Sequence, residues 1–321
     1  MIRTLMHALS PPASEAKLSI LIFHRVHANP DPLFPGEVDA RRFSSICNWV
    51  RQWCQVLPLH DACRRLRDGC LPARAMAITF DDGYADNHDV AMPILRRHGL
   101  SATFFVATGF LDGGRMWNDT LIEAVRGSRH DSVDLARAGL PGIQRMPLVS
   151  VADRRAAIDC LIRACRYLPV LEREAATLAV AGACAAPLPN TLMMRSDQVQ
   201  ALAAQGMTVG GHTVNHPILA RLPLHGARAE MAQGKARLEE LLQQRVGLFA
   251  YPNGRPGEDF APEHAKLAEE LGFEAAFTTA WGVSDSRTDR FQLPRFTPWD
   301  RAKWAFGLRL ARNASQPAVA A

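Results

Sequence analysis

Short, nearly continuous apolar runs alternate with amphipathic stretches along most of the chain. "LSILIFH" (18–24), "AMAITFDD" (75–82), "SATFFVATG" (101–109), "GMTVGGHT" (206–213), "VGLFAYPNG" (246–254), "FEAAFTTAWG" (273–282) and "FQLPRFTP" (291–298) predict strands, with "QVLPL" (55–59) as a weaker eighth. Most lack the polar alternation of a half-exposed strand, as parallel strands buried on both faces do. Between them, "VAMPILRRHGL" (90–100), "RSDQVQALAAQG" (195–206), "ARAEMAQGKARLEELLQQ" (227–244) and "PEHAKLAEELG" (262–272) carry the helical period. Three of these end at glycine, an ordinary helix stop. Such alternation predicts an α/β fold, and seven or eight units predict a barrel rather than an open sheet.

Residues 111–190 break the pattern. "WNDTLIEAVRG" and "ADRRAAIDCLIRACRYL" place apolar residues at helical spacing there, which predicts a helical insertion serving as a cap or groove wall. Residues 1–17 then form an N-terminal extension and 18–300 the barrel. A helix over 300–312 is expected to pack on the barrel, before a flexible tail, "NASQPAVAA".

Composition narrows the class. Hydrophobic content of 48% and charged content of 21% are ordinary for a soluble globular protein. A net charge of +5 permits an acidic polymer or an anionic membrane surface as partner without arguing for either. No RNA-reading motif and no long Lys/Arg run occurs, so nucleic acid is not an expected partner. Seven cysteines, none in a CxxC pair, fit buried reduced thiols and a cytoplasmic setting. "MIRTLMHALSPPASEA" is too weakly apolar for a secretory signal, and no run approaches the roughly 20 residues of a transmembrane helix.

"ITFDDGYADN" (78–87) delivers two adjacent carboxylates, Asp81 and Asp82, at the end of an apolar strand. Removing like charges from water costs several kcal/mol per ion unless a cation or proton compensates. A solvated Asx turn is the bland account of Asp-Asp-Gly. Four other predicted strands, however, also end in polar groups: His24, His212 with His216 four residues on, Pro252-Asn253-Gly254, and Arg295. In an α/β barrel, chemistry sits at those strand ends. "HTVNH" offers two imidazoles that converge if the segment is a helical turn. A zincin would need Glu where Thr213 stands. Two histidines and one carboxylate make a facial metal site, so one aspartate can be a ligand while the other stays free as a base.

"TFDDG", "HTVNH" and "YPNG" resemble the polysaccharide deacetylase family, the NodB-homology domain of carbohydrate esterase family 4, over residues 18–298. The resemblance implies a distorted (β/α)7 barrel that removes N- or O-acetyl groups from sugars with one divalent ion. Zn2+ is the expected metal, with Co2+, Ni2+ or Fe2+ as substitutes. It implies that Asp81 is the base, that Asp82, His212 and His216 hold the metal, and that Thr213 fixes the loop. Tyr251, Pro252 and Asn253 match the groove wall, where the N–H after Pro252 would hold the oxyanion. The chain departs from the family at Ala250, where an arginine is usual, and Arg295 could reach the base instead. The late Leu-x-His that supplies the general acid is also missing, since no histidine follows His264. His24 resembles the early Tyr-His histidine of the poly-N-acetylglucosamine deacetylase branch, which takes the acid role. The implied substrate is an acetylated polysaccharide, oligosaccharide, or lipid- or nucleotide-linked amino sugar. The alternatives are an inactive carbohydrate-binding protein on the same barrel and a Mg2+ phosphatase, which the two histidines disfavour. Trp117, Trp281 and Trp299 could stack on sugars or simply pack, whereas Trp49 and Trp53 read as packing.

Overall fold

The computed structural model describes residues 1–136 and 138–316. Nine strands form among them: β1 (Ser19–Phe23), β2 (Gln55–Val56), β3 (Ala75–Phe80), β4 (Thr103–Val106), β5 (Ser132–Asp134), β6 (Arg145–Pro147), β7 (Thr208–Gly211), β8 (Leu248–Ala250) and β9 (Ala275–Phe277). The main sheet runs β1-β3-β4-β7-β8-β9, all parallel, with β2 added beside β3. β1, β3, β4, β8 and β9 are buried along their whole length, which accounts for their unbroken apolar sequences.

The expected strand at 291–298 is not a regular one. Leu293 exchanges bonds with Ala276 and Thr278, and Phe296 with Ile20 and Ile22, so single bridges join this segment to β9 on one side and β1 on the other. Pro294, lying between them, has no N–H to continue a ladder. Six strands and this broken segment are therefore the seven staves of a distorted (β/α)7 barrel.

The described residues divide into two compact units. The first holds the barrel and comprises Met1–Asn29, Val38–Asp112 and the chain from Met194 onward. The second comprises Pro30–Glu37 and Gly113–Met193. It has its own core, in which the helices Trp117–Gly127, Val151–Cys165 and Val170–Cys184 bury Leu121, Val125, Ile158, Leu161 and Val180 beside the β5–β6 hairpin. The last of those helices escaped the sequence reading because apolar residues surround it: Leu171 and Leu178 are exposed while Val180 and Cys184 are buried, which blurs the helical period.

The C-terminal helix lies three residues further along than expected. It spans Lys303–Ser315, so the "NAS" assigned to the tail is helical. Asn313 is buried and donates from Nδ2 to the Gly282 carbonyl at 2.9 Å, which anchors the last turn. Residues 317–321 of the expected tail lie outside the described residues. At the other end Ile2–Leu9 forms a helix that buries Ile2 and Met6. Ile2 packs so close to Gly307 that a Cβ there would lie 3.0 Å from its side chain. Trp49 and Trp53 stack with centroids 6.4 Å apart, against Phe306, as packing residues. No helix among the described residues is long and apolar enough to cross a membrane.

Candidate active site

β3 ends at Phe80, and the next two residues are the paired aspartates. Adjacent side chains on a strand point to opposite faces. The chain escapes that rule by leaving the extended region: Asp82 has φ +78 and Gly83 φ +91. The left-handed turn lets both carboxylates approach one region, and each ends with a different set of neighbours.

Asp81 is gripped by Arg295. The guanidinium donates from Nη1 to Oδ1 and from Nη2 to Oδ2, both at 2.7 Å. Nε of the same arginine donates to the Thr278 carbonyl at 2.9 Å, and Arg295 is wholly buried. Burial would push the Asp81 carboxyl up, but Arg295 and then His212 override it and hold it below the usual carboxylate range.

Asp82 faces the histidines. Its Oδ1 lies 3.3 Å from His212 Nε2 and 3.3 Å from His216 Nε2. One ligand atom from each of the three residues falls within 4.8 Å of the others. Asp82 Oδ1 and His212 Nε2 are buried without a hydrogen-bond partner, because their 3.3 Å approach is not aligned as a hydrogen bond. Buried polar atoms normally find partners. Two nitrogens and one carboxylate oxygen left open toward one point are the donor set a divalent cation takes. On the far side of its ring, His212 Nδ1 lies 2.7 Å from the Ala250 carbonyl. That contact needs the proton on Nδ1 and leaves the Nε2 lone pair facing Asp82. Burial pushes the His216 imidazole down to about 4, so it is neutral at pH 7. Burial also lowers the His212 imidazole, but Asp82 and Asp81 outweigh it and the net shift is upward. Burial raises the Asp82 carboxyl, and the two histidines reverse that to well below its ordinary range.

The two histidines do not converge through a helical turn, as their i, i+4 spacing suggested. Residues 212–216 form a loop in which Thr213 (φ +67) and His216 (φ +52) are left-handed. The His212 and His216 ring centroids end 4.8 Å apart. A β-branched residue at positive φ is a true outlier, costing about 1–3 kcal/mol. The Thr213 hydroxyl donates to the His212 carbonyl and accepts from His216 N–H at 3.0 Å, closing the loop on itself. The supports around it are residues that the sequence reading passed over. Glu230 accepts from Val214 and Asn215, while Thr108 N–H and Gly109 N–H donate to the Thr213 and Val214 carbonyls. Only the unexplained glycines of "TGF" and "AQGKA" hinted at this cradle.

The remaining expected residues fall in three places. His24 ends β1 and is exposed, and its imidazole has no hydrogen-bond partner among the described residues. It lies near enough to Asp81, Asp82 and His216 to act on them electrostatically. Asn87, buried, donates from Nδ2 to the His24 carbonyl at 2.8 Å and fixes the backbone there. Asn253 is left-handed (φ +58), and its N–H donates to no acceptor among the described residues. Pro252 is buried beside it. Tyr251 differs from the expectation of a groove residue. Its ring is fully buried, stacks on Phe260 at 3.9 Å, and its hydroxyl donates to the Phe291 carbonyl at 3.0 Å. The strand register turns this side chain into the core, so it offers a substrate nothing but its backbone. Trp281 and Trp299 form a half-exposed pair 5.0 Å apart, whereas the guanidinium of Arg173 covers the Trp117 ring at 5.2 Å.

A family model described as polysaccharide deacetylase matches residues 68–132 and 166–276, more than half of the chain. Bacillus subtilis YxkH, named as a candidate polysaccharide deacetylase, is 22% identical over 282 residues, which are 87% of this chain and 71% of that one. Among solved structures, IcaB from Ammonifex degensii superposes with a TM-score of 0.59 at 19% identity, covering 96% of this chain and 99% of its own. The Streptococcus pyogenes deacetylase PplD, solved with acetate, gives 0.57 at 21% identity, covering 88% and 92%. The BpsB deacetylase domain from Bordetella bronchiseptica gives 0.54 at 15%, covering 89% and 97%. At these identities the three structures are likenesses of fold.

Proposed function

The chain belongs to the polysaccharide deacetylase family, and from that premise we propose that it is a metal-dependent N-deacetylase of amino-sugar polymers or oligomers. As a family member it is a hydrolase of carbon–nitrogen bonds acting on acetylated polysaccharide. The observation that carries the finer reading is the division of labour between two adjacent carboxylates. Asp82 shares a point with His212 and His216, while Asp81 is held apart by Arg295.

Asp82, His212 and His216 would hold the ion. When bound, a divalent metal supplies a Lewis acid that polarises the acetyl carbonyl and acidifies water near neutral pH. Asp81 stays ionised because Arg295 opposes the effect of its burial, so it is ready to accept the proton of the attacking water. The Asn253 N–H is a fixed donor for the charge that develops on the acetyl oxygen, and one such donor is worth on the order of 3 kcal/mol. His24, at the exposed end of β1, gives a proton to the departing amine, which an amide requires. Its position at the end of the first strand supports the poly-N-acetylglucosamine branch as the nearest model for the substrate.

A mass-spectrometric screen tests this reading. Polymeric, lipid-linked and nucleotide-linked N-acetyl sugars are incubated with the zinc-loaded protein, and acetyl losses are recorded. Loss from a polymeric or oligomeric N-acetylhexosamine, abolished by a chelator and restored by Zn2+, is the expected result. Acetyl loss that survives complete metal removal would overturn metal dependence, and no loss from any substrate would overturn the activity.

A further inference from the structure

We propose that Glu230 is a positioning residue for the candidate metal centre. It acts as an internal anion that holds the histidine loop in its strained form. This rests on the metal-site reading above. Glu230 lies on the helix Leu224–Leu242 and touches none of the three ligand side chains. Its Oε2 accepts from the N–H groups of two successive loop residues, Val214 at 2.9 Å and Asn215 at 2.8 Å. Its Oε1 accepts from the Asn215 side-chain amide at 2.8 Å. Two consecutive backbone N–H groups turned to one side form an anion-binding nest. The left-handed Thr213 immediately before them is what turns the chain into the nest. The carboxylate of Glu230 fills it.

The loop needs such support. Thr213 is β-branched at φ +67, and His216 follows at φ +52, so the relaxed chain favours another conformation. Between those two residues lie only Val214 and Asn215, the pair that Glu230 clamps. Relaxation of Thr213 would swing His216 away from His212 and Asp82. One turn along the same helix, Gly234 completes the seat. A Cβ there would lie 2.7 Å from the Thr213 carbonyl oxygen and 2.8 Å from its carbon. Glu230 and Gly234, at i and i+4, thus share one helix face. One binds the loop, and the other makes room for it.

The test uses the full-length chain with Zn2+ as probe. Zinc affinity is measured by competition with a chromophoric chelator for the wild type, Glu230→Gln, Glu230→Ala and Gly234→Ala. Supporting groups around a metal site are typically worth 10–100-fold in affinity. We expect zinc to bind about 10–100-fold more weakly to Glu230→Ala and Gly234→Ala, with Glu230→Gln in between, since it keeps one acceptor oxygen. Turnover should return as zinc is raised, with KM for the sugar unchanged. Val214 is only partly buried and Asn215 is exposed, so water can satisfy their N–H groups and the two Glu230 variants should melt close to the wild type.

A second arm needs no metal. Amide hydrogen exchange at Val214 and Asn215 in the metal-free chain should quicken in Glu230→Ala. Unchanged exchange, or unchanged zinc affinity in natively melting variants, overturns the proposal. A wild-type chain that binds no zinc overturns the metal-site reading itself, and the exchange arm still decides whether Glu230 holds the loop.

Discussion

Arg295 holds Asp81 through both carboxylate oxygens at 2.7 Å, with both side chains buried. The family's usual arginine place is Ala250, on β8, but here the guanidinium arrives from the seventh stave. A bidentate pair depends on where the guanidinium lies rather than on the strand that carries it.

Removing that fork should shift the pH dependence in a defined direction. Burial raises the Asp81 carboxyl and Arg295 is the largest effect lowering it, so in Arg295→Met burial is opposed by the neighbouring histidines alone. Asp81 then protonates at higher pH, and the acid limb of kcat/KM moves upward. An unmoved limb would assign Arg295 a purely structural role.

The same variant has a stability signature. In the wild type the lowered carboxyl stabilises the fold above the unfolded value of roughly 4, and this is lost as pH falls through the folded value. Breaking a buried pair costs about 3–5 kcal/mol by stranding one charge. The deficit of Arg295→Met should therefore be largest near pH 8 and shrink toward pH 5, where Asp81 can take a proton. Denaturant melts at both pH values would read it.

The two aspartates should separate under mutation. Asp82→Ala, His212→Ala and His216→Ala each leave two protein ligands and should lose both zinc and activity. Asp81→Asn should keep zinc while turnover collapses. Elemental analysis alongside kinetics checks this, and equal zinc loss in Asp81→Asn and Asp82→Asn would reverse the assigned roles.

His24 is tested by the leaving group. A nitrophenolate departs unaided, whereas an amine must be protonated. His24→Ala should lower N-acetyl sugar hydrolysis by roughly 10²–10⁴-fold, with far less effect on an aryl acetate and no loss of zinc. Equal losses on both substrates would mean that His24 positions rather than protonates.

Tyr251→Phe should leave kcat/KM unchanged while destabilising the fold. The Phe291 carbonyl loses its buried donor, which costs about 1–3 kcal/mol. A kinetic defect without a stability defect would return Tyr251 to the groove.

Much of this was legible in the sequence, for identifiable reasons. Strands buried on both faces write unbroken apolar runs, and β1, β3 and β4 fell where such runs stood. Asp81, Asp82, His212 and His216 declared themselves by ending those runs with charge or imidazole. What stayed hidden depends on tertiary context. Glu230 looks like any acidic residue on a surface helix until the Thr213 loop is seen beside it. Tyr251 sits within a motif, yet only the register of β8 with β9 decides which way its ring turns. The His212–His216 spacing fits a helix, and the left-handed Thr213 that replaces the helix has no signature in sequence.

The broken seventh stave also fixes an order of events. Asp81, Asp82, His212 and His216 have all been synthesised by residue 216, but Arg295 emerges roughly 80 residues later, on the order of 4–16 s at usual translation rates. Its bond to Asp81 spans 214 positions, among the longest loops this chain closes. The ligand cluster can therefore form on the ribosome while its neighbouring carboxylate still lacks a counter-charge. The counter-charge of Asp81 arrives last in the chain, on the segment whose Leu293 and Phe296 dock on either side of Pro294.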